Sequence, residues 1–210
     1  MLPEIIAAGF TLGWLAVFFT VNLHNIVKVH RGRTKTKVCA EIGRPRGALV
    51  QLVAVGTLLF FFESLLFSLL SFMEPTAALH VFPLQVEFPY DFCVQIMGLA
   101  LSGSGYFLFI WSVVTRGKYA VSWAMPENHL LVTEGPYRYV RHPSYLAYFL
   151  MFYGFPLIWL NLMAILPLVA VPGYVEVTVK EEELLLRRFG DKYRSYQVKT
   201  GRFFPKRKQR

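Results

Sequence analysis

Residues 145–179 read YLAYFLMFYGFPLIWLNLMAILPLVAVPGYVEVTV, and this stretch sets the architecture of the whole chain. It consists of two apolar runs, 145–160 and 162–179, which only Asn161 separates. A helix needs about 20 apolar residues to cross the hydrocarbon core of a bilayer, so the second run can cross and the first is short for a crossing. The one-residue connection predicts a tight antiparallel hairpin of two membrane helices. Two prolines in the second run predict that its helix is kinked.

Three more apolar runs precede this hairpin, at Ile5–Leu23, Ala48–Phe72 and Phe92–Thr115. The chain is 55% hydrophobic and 16% aromatic, and these residues are concentrated in runs rather than scattered as in a water-soluble domain. We therefore predict an all-α integral membrane protein with about five transmembrane helices. At 210 residues there is room for a single membrane domain over 1–210.

The basic residues are confined to three segments outside the spans. The 22 Lys and Arg residues lie in 28–46, in 116–141 and in the tail 180–210. Five spans place these three pieces on one face of the membrane, which the positive-inside rule identifies as the cytosolic face. We predict a protein of the cell membrane or an endomembrane with its N-terminus outside and its C-terminus in the cytosol. The formal charge of +9 is thus attributed to contact with membrane lipids, and no nucleic-acid partner is expected.

Small and polar residues inside the spans predict how the helices pack. Gly98, Ser102 and Gly105 lie near helical spacing in the third span and should let a neighbouring helix approach closely. Glu63 lies inside the second span, where an acid is costly and faces the bundle interior. A structural hydrogen bond from Glu63 to the serine-containing third span is preferred over a catalytic role.

The tail changes abruptly from apolar to charged at Lys180 while it stays compatible with a helix. Leu185, Phe189 and Tyr193 recur at every fourth position, which predicts an amphipathic C-terminal helix. One interpretation is a solvated helix that lies on the membrane surface. The other is a helix that closes over a site at the inner face.

The densest polar and aromatic segment is GPYRYVRHPSY at 135–145, directly before the fourth span. Gly135-Pro136 predicts a turn, and Pro143 is suited to the first position of a helix. Backbone groups near that helix start are left free to bind a carboxylate or the polar edge of a cofactor. The alternative is an interfacial anchor, since Tyr and Arg are common at the headgroup level.

Three acids, Glu181 to Glu183, follow the kinked fifth span. They are either a solvated face or partners of Arg141 in the loop before the fourth span.

The two cysteines, Cys39 and Cys93, are far apart in the sequence, and no Cys/His spacing typical of a metal site is present. We expect no metal.

Two segments together carry a family resemblance. They are HLLVTEGPYRYVRHPSYLAYFLMFYG at 129–154 and KEEELLLRRFGDKYRSYQVKTGRFFP at 180–205, separated by the rest of the helical hairpin. The pair resembles the isoprenylcysteine carboxyl methyltransferase family and its prokaryotic integral-membrane relatives. The resemblance covers about 121–205, which we take as the motif-bearing catalytic region: a cytosolic cofactor loop, the hairpin and the C-terminal helix.

The resemblance implies an integral-membrane enzyme that transfers a methyl group from S-adenosylmethionine to a lipid-like acceptor, such as the carboxylate of an isoprenylated cysteine. Arg141 and Glu182 are the candidate catalytic residues, and Arg141 is expected to pair with an acid of 181–183. The implied cofactor contacts lie in the loop, at the start of the fourth span and in the tail. They are His129, Leu130, Leu131, Val132, Tyr137, His142, Pro143, Ser144, Tyr145 and Glu181.

One departure from the family pattern leaves the identity of the methyl acceptor undetermined. Members often carry an arginine four residues before the position of Glu181, facing the acceptor carboxylate, and here that position is Val177. Val177 is thus the candidate substrate-contacting residue, and phospholipid amines and quinone-like amphiphiles stay possible as acceptors. Two other functions stay open: an NADPH-dependent sterol-type membrane reductase, although such enzymes are longer, and a non-catalytic lipid-binding protein.

Overall fold

A computed structural model describes residues 2–33, 38–41, 47–73, 84–87, 89–117, 124–126 and 130–206; only the backbone is described at 29–33, 38–41 and 124–126. The α-helices are α1 Glu4–Arg33, α2 Ala48–Met73, α3 Asp91–Arg116, α4 Pro143–Trp159, α5 Ala170–Phe189 and α6 Asp191–Lys199. Two 3-10 helices cover Gly135–Arg138 and Leu162–Val169, and two short strands are β1 Val38–Glu41 and β2 Ala124–Pro126.

The predicted all-α membrane architecture is confirmed. Four helical segments of the described chain are long and apolar enough to cross a membrane: Glu4–Lys28, Ala48–Met73, Asp91–Arg116 and Leu162–Phe189. The remaining predicted span is α4, whose 17 residues rise only about 25 Å. A bilayer core is about 30 Å thick, so α4, which packs antiparallel against α3, is short for a crossing, and a fifth span stays a prediction.

Close backbone contact fixes the position of α4 along the axis of α3. A Cβ atom on Gly105 would lie 2.8 Å from the Ala147 carbonyl oxygen, and one on Gly98 would lie 2.8 Å from Leu157 Cβ. The close approach predicted from the small residues of the third span is therefore confirmed. Because no side chain intervenes there, the start of α4 is held beside the end of α3, and these two helix ends frame the site described below.

The hairpin after α4 turns within two residues. Leu160 adopts a left-handed conformation with φ of 53°, and the Asn161 side chain accepts a hydrogen bond of 2.9 Å from the Met163 backbone N–H. The kink predicted in the fifth span takes the form of a 3-10 segment at Leu162–Val169 that continues into α5. Gln95 ties this end of the bundle to the chain start, since it accepts a 2.6 Å hydrogen bond from the Leu2 backbone N–H.

The tail is helical as predicted, but the apolar stripe predicted through Leu185, Phe189 and Tyr193 does not lie on one helix. Gly190 has φ of 50° and ends α5, and α6 begins at Asp191. The helix breaks because glycine adopts this left-handed conformation without steric cost, while its N–H caps the Leu186 carbonyl at 2.9 Å. Tyr193 therefore points back into the structure and is fully buried, rather than extending one stripe with Phe189.

The predicted hydrogen bond from Glu63 to the third span is also wrong. The Glu63 side chain is buried in α2, yet neither carboxylate oxygen has a hydrogen-bond partner in the described part of the chain. Aromatic rings occupy its surroundings: Phe60 packs 5.1 Å from Phe152, and Phe67 packs 5.7 Å from Trp159, between ring centroids. Aromatic packing thus takes the place of the expected polar contact.

A short strand pair was not predicted. Strands β1 and β2 pair antiparallel, with Val38 opposite Pro126 and Glu41 opposite Ala124. β1 belongs to the connection between α1 and α2, and β2 follows α3. The pair joins two of the three basic segments, in agreement with their predicted location on one face.

Candidate active site

The loop before α4 and the end of the chain form one assembly. Residues 200–203, which we name the C-terminal strap, run parallel to the loop. The Arg141 backbone N–H donates to the Gly201 carbonyl at 2.9 Å, and the His142 N–H donates to the Arg202 carbonyl at 3.1 Å. Backbone hydrogen bonding therefore fixes the side chains of Arg141 and His142 relative to the strap.

A second connection comes from α6. The Tyr196 hydroxyl donates a 2.6 Å hydrogen bond to the Tyr137 carbonyl. Burial raises the pKa of Tyr196, which keeps its hydroxyl protonated and able to donate. The turn at Gly190 is what brings α6 back over the loop, so the tail closes on the site rather than lying free on the membrane.

Glu182 is the centre of this assembly. Its carboxylate accepts hydrogen bonds of 2.9 Å from Arg141 Nε, 2.9 Å from Arg202 Nη2 and 3.3 Å from Gln197 Nε2, and His142 Nε2 lies at 3.1 Å. The predicted pairing of Arg141 with an acid of 181–183 is confirmed, and the acid is Glu182. One carboxylate on α5 thus joins the loop, α6 and the strap.

Burial makes this network strong. The Glu182 and Arg141 side chains are 8% and 9% exposed, so little water screens their attraction. The hydrogen bond to Glu182 raises the pKa of Arg202, which favours the charged guanidinium in the pair. The Arg141 guanidinium also donates to the Thr200 carbonyl and so binds the strap directly.

His142 lies between two carboxylates. Its Nε2 faces Glu182 Oε1 at 3.1 Å, and its Nδ1 faces Glu181 Oε2 at 3.6 Å. The ring stacks on Tyr145 at a centroid separation of 5.8 Å, and the Tyr145 hydroxyl donates a 2.5 Å hydrogen bond to Glu181. Contacts on both edges and one face hold the imidazole in a single orientation.

Aromatic rings continue the site toward the bundle. Tyr174 of α5 lies 5.2 Å from both Tyr145 and Tyr148, between ring centroids, and its hydroxyl bonds Thr57 of α2 at 2.9 Å. Aromatic faces attract cations, so this cluster, with the Glu181 carboxylate beside it, favours a positively charged ligand group.

The end of α3 completes the site. Arg116 Nη2 donates to Ser144 Oγ at 3.1 Å, and Ser144 Oγ bonds Ser112 Oγ at 2.8 Å. The Arg116 guanidinium also lies over the Tyr137 ring, 5.9 Å from its centroid. These contacts join α3 to the first turn of α4 and to the loop.

The residues named from the sequence divide into three groups. Arg141, His142, Tyr145, Glu181 and Glu182 meet in one cluster. Tyr137, Pro143 and Ser144 are buried where the loop packs on α3 and α4, and Leu130, Leu131 and Val132 precede them without regular secondary structure. Val177 faces the bundle interior with 1% exposure, and His129 lies outside the described residues.

Sequence reasoning missed four contributors to this site, namely Arg116, Tyr196, Gln197 and Arg202. Arg202 stands within the second quoted segment, but 20 positions separate it from its partner Glu182. Arg116 was treated only as the basic end of a span. No local spacing pairs these residues with the loop. The contacts of Tyr196, Gln197 and Arg202 depend on the return of the chain at Gly190, and those of Arg116 depend on the packing of α3 against the loop and α4.

Known proteins match the region that forms this site. A family model described as phospholipid methyltransferase matches residues 93–192. A segment of 76 residues, 35% of this chain, is 38% identical to protein-S-isoprenylcysteine O-methyltransferase of Schizosaccharomyces pombe and covers 32% of that protein. A segment of 119 residues, 54% of this chain, is 32% identical to the Tribolium castaneum protein of the same name and covers 40% of it. The chain thus matches less than half the length of either relative.

The fold agrees with these matches. It resembles a eukaryotic intramembrane Ras methyltransferase, an isoprenylcysteine carboxyl methyltransferase, with a TM-score of 0.57 at 23% identity. The likeness covers 97% of this chain and 67% of that one, so the common fold includes the N-terminal spans, which carry no quoted motif. The resemblance predicted from the two segments is confirmed: this chain is similar in sequence to isoprenylcysteine O-methyltransferases and in fold to an isoprenylcysteine carboxyl methyltransferase.

Proposed function

We propose that this protein transfers a methyl group from S-adenosylmethionine to a membrane-embedded amphiphile, and that its acceptor is the carboxylate of a prenylated cysteine. The observation that carries the proposal is the cluster around His142, in which the loop and the tail meet at Glu181 and Glu182. The same loop and tail contain the two segments that resemble the family, and two relatives of this chain are named protein-S-isoprenylcysteine O-methyltransferase.

The residues present fit S-adenosylmethionine. The Tyr137 hydroxyl is buried without a hydrogen-bond partner in the described chain and is free to bind a polar group. Leu130, Leu131 and Val132 offer apolar surface for an adenine ring, and Glu181 can accept from ribose hydroxyls or an amino group. When bound, S-adenosylmethionine would supply a methyl group on a cationic sulfur, which an ionised acceptor carboxylate can take without giving up a proton.

The role of the protein is then mainly to orient and to exclude water. His142 cannot rotate away from the site, because both ring nitrogens face carboxylates and one ring face packs on Tyr145. The strap covers the loop from the aqueous side, and Phe203 packs on His142 and Phe149 at 6.2 Å and 5.1 Å between ring centroids. Fixed orientation and a dry site can supply most of the rate for a reaction that needs no general base.

A phospholipid amine is the second candidate acceptor. The family model described as phospholipid methyltransferase favours it, as does the apolar Val177 at the position where family members often carry an arginine. Transfer to nitrogen would release a proton, which transfer to a carboxylate does not.

The experiment uses the purified full chain in detergent. Calorimetry with S-adenosylhomocysteine and with NADPH tests the cofactor: binding of the first supports methyl transfer, binding of the second alone supports a reductase, and binding of neither supports a non-catalytic protein. Transfer of labelled methyl to N-acetyl-S-farnesylcysteine is then compared with transfer to phosphatidylethanolamine vesicles. Alkali releases methanol from a methyl ester but leaves an N-methyl amine intact, so it identifies the product.

We also propose that the site faces the cytosol, with the N-terminus on the other side of the membrane. Two features support this orientation: the chain start at Leu2 binds Gln95 at the end of the bundle opposite Arg141, and the strand pair joins two basic segments at the site's end. The whole chain would act as one domain, with 121–205 as its catalytic region.

A further inference from the structure

We propose that Arg116 and Tyr137 form the carboxylate-binding corner of the active site. This inference rests on the proposed function, because the two reactants of that reaction each carry one carboxylate: the methionine part of the cofactor and the acceptor. It assigns carboxylate recognition to the end of α3, and not to the fifth span, where family members often carry an arginine and this chain has Val177.

Two neighbouring donors are the first observation. Arg116 Nε and the Tyr137 hydroxyl are both buried, and neither has a hydrogen-bond partner within the described residues. A buried donor without an acceptor destabilises the fold, so a pair of such donors in the site calls for an acceptor that a ligand can supply. The Tyr137 ring lies beneath the Arg116 guanidinium. A single ligand group with acceptors only, such as a carboxylate, could therefore accept hydrogen bonds from both donors.

The distribution of cations is the second observation. Arg141 and Arg202 both bond Glu182, and Lys180 pairs with Glu176 at 3.1 Å. In contrast, Arg116 makes no ion pair within 4.0 Å among the described residues, although its charge reaches Tyr145 and Glu181. Within the described part of the site, Arg116 is therefore the cation left to balance an anionic ligand.

The local fold holds the corner in place. Arg116 Nη2 is fixed on Ser144, which leaves the Nε edge directed elsewhere. Gly135, with φ of 56°, lets the 3-10 turn approach α3, since a Cβ there would lie 2.7 Å from Thr115 Oγ1. This close approach carries Tyr137 beneath Arg116.

A carboxylate suits this corner better than a phosphate. Arg116 Nε and the Tyr137 hydroxyl are two donors for the two oxygens of a carboxylate, whereas phosphate sites usually gather several cations. A single Arg116 charge balances a single negative charge.

The test measures binding, so it does not depend on turnover. Two matched ligand pairs are used: N-acetyl-S-farnesylcysteine with its carboxamide, and S-adenosylhomocysteine with its decarboxylated analogue. Each dissociation constant is measured for the full chain in detergent, for Arg116→Gln, for Arg116→Lys and for Tyr137→Phe. Arg138→Gln is the control, because Arg138 is an exposed arginine of the same turn. The melting temperature of every variant reports whether it is folded.

We expect the unmodified protein to prefer the carboxylate member of one pair by about 10-fold or more. In Arg116→Gln this preference should fall toward one, Arg116→Lys should keep part of it, and Arg138→Gln should keep all of it. Loss in the farnesylcysteine pair identifies the acceptor carboxylate, and loss in the adenosyl pair identifies that of the cofactor. Unchanged preferences in a folded Arg116→Gln would overturn the assignment, as would no preference in the unmodified protein.

The two proposals fail separately. If no methyl transfer is detected but Arg116→Gln still abolishes a carboxylate preference, the proposed reaction is wrong and the corner is correct. If methyl transfer occurs and Arg116→Gln leaves both preferences unchanged, the corner is wrong and the reaction stands.

Discussion

Removing the Glu182 carboxylate should destabilise the whole assembly of loop and tail. The Glu182 and Arg141 side chains are 8% and 9% exposed, so Glu182→Ala leaves a buried guanidinium without its acid. Breaking a buried pair by removing one partner costs about 3–5 kcal/mol. We expect the free energy of unfolding to fall by about that amount in Glu182→Ala.

Removing Arg202 should cost less. Hydrogen bonds to charged groups contribute about 1.5–3 kcal/mol. The Arg202 side chain is 36% exposed, and solvent screening lowers its expected contribution to about 1–2 kcal/mol. Because Arg202 acts through Glu182, the double variant should lose no more stability than Glu182→Ala alone. This gives a coupling energy of about 1–2 kcal/mol in a double-mutant cycle.

Unfolding of the purified protein in mixed detergent, followed by far-UV circular dichroism, measures each free energy. Arg194→Ala is the matched control, since its pair with Asp191 is 69% and 94% exposed and should contribute nothing measurable. If the losses from Glu182→Ala and Arg202→Ala simply add, the two residues act independently. The role given to the strap would then be wrong.

Three further predictions concern the cofactor, the helix packing and the topology. Glu181→Ala should weaken S-adenosylhomocysteine binding by roughly 1–3 kcal/mol in calorimetry, through loss of a charge-assisted hydrogen bond; an unchanged affinity would remove Glu181 from the cofactor site. Gly105→Ala should lower stability by about 1–3 kcal/mol, because its Cβ meets the Ala147 carbonyl, whereas Gly13→Ala has open space and serves as the neutral control. In single-cysteine variants, an impermeant thiol reagent added to sealed cells should label Ala77→Cys and spare Cys39; labelling of Cys39 would refute the orientation.

The membrane architecture could be predicted because it follows from local composition. A helix in lipid satisfies its backbone hydrogen bonds within itself, so an apolar run of sufficient length is enough to identify a span. The hairpin at Asn161 and the close approach at Gly98 and Gly105 followed from single residues whose effect is local. The two motif segments likewise indicated the family resemblance, because each is continuous in the sequence.

Local composition and continuous motifs could not predict which polar side chains contact each other. Three consecutive acids, Glu181 to Glu183, differ little in the sequence, and only the rotation of α5 directs Glu182 toward Arg141. The break at Gly190 returns the chain over the loop, so it decides that Arg202 binds an acid 20 positions earlier.

The unsatisfied groups depend on the tertiary structure in the same way. Among the described residues, the Glu63 carboxylate oxygens and Arg116 Nε have no hydrogen-bond partner, and Ser144 binds only one side of the Arg116 guanidinium. Hydrophobic length and helix propensity act over neighbouring residues, so the sequence predicted the membrane helices. Hydrogen bonds and ion pairs depend on distances of about 3 Å between distant segments, and only the packed fold sets those distances.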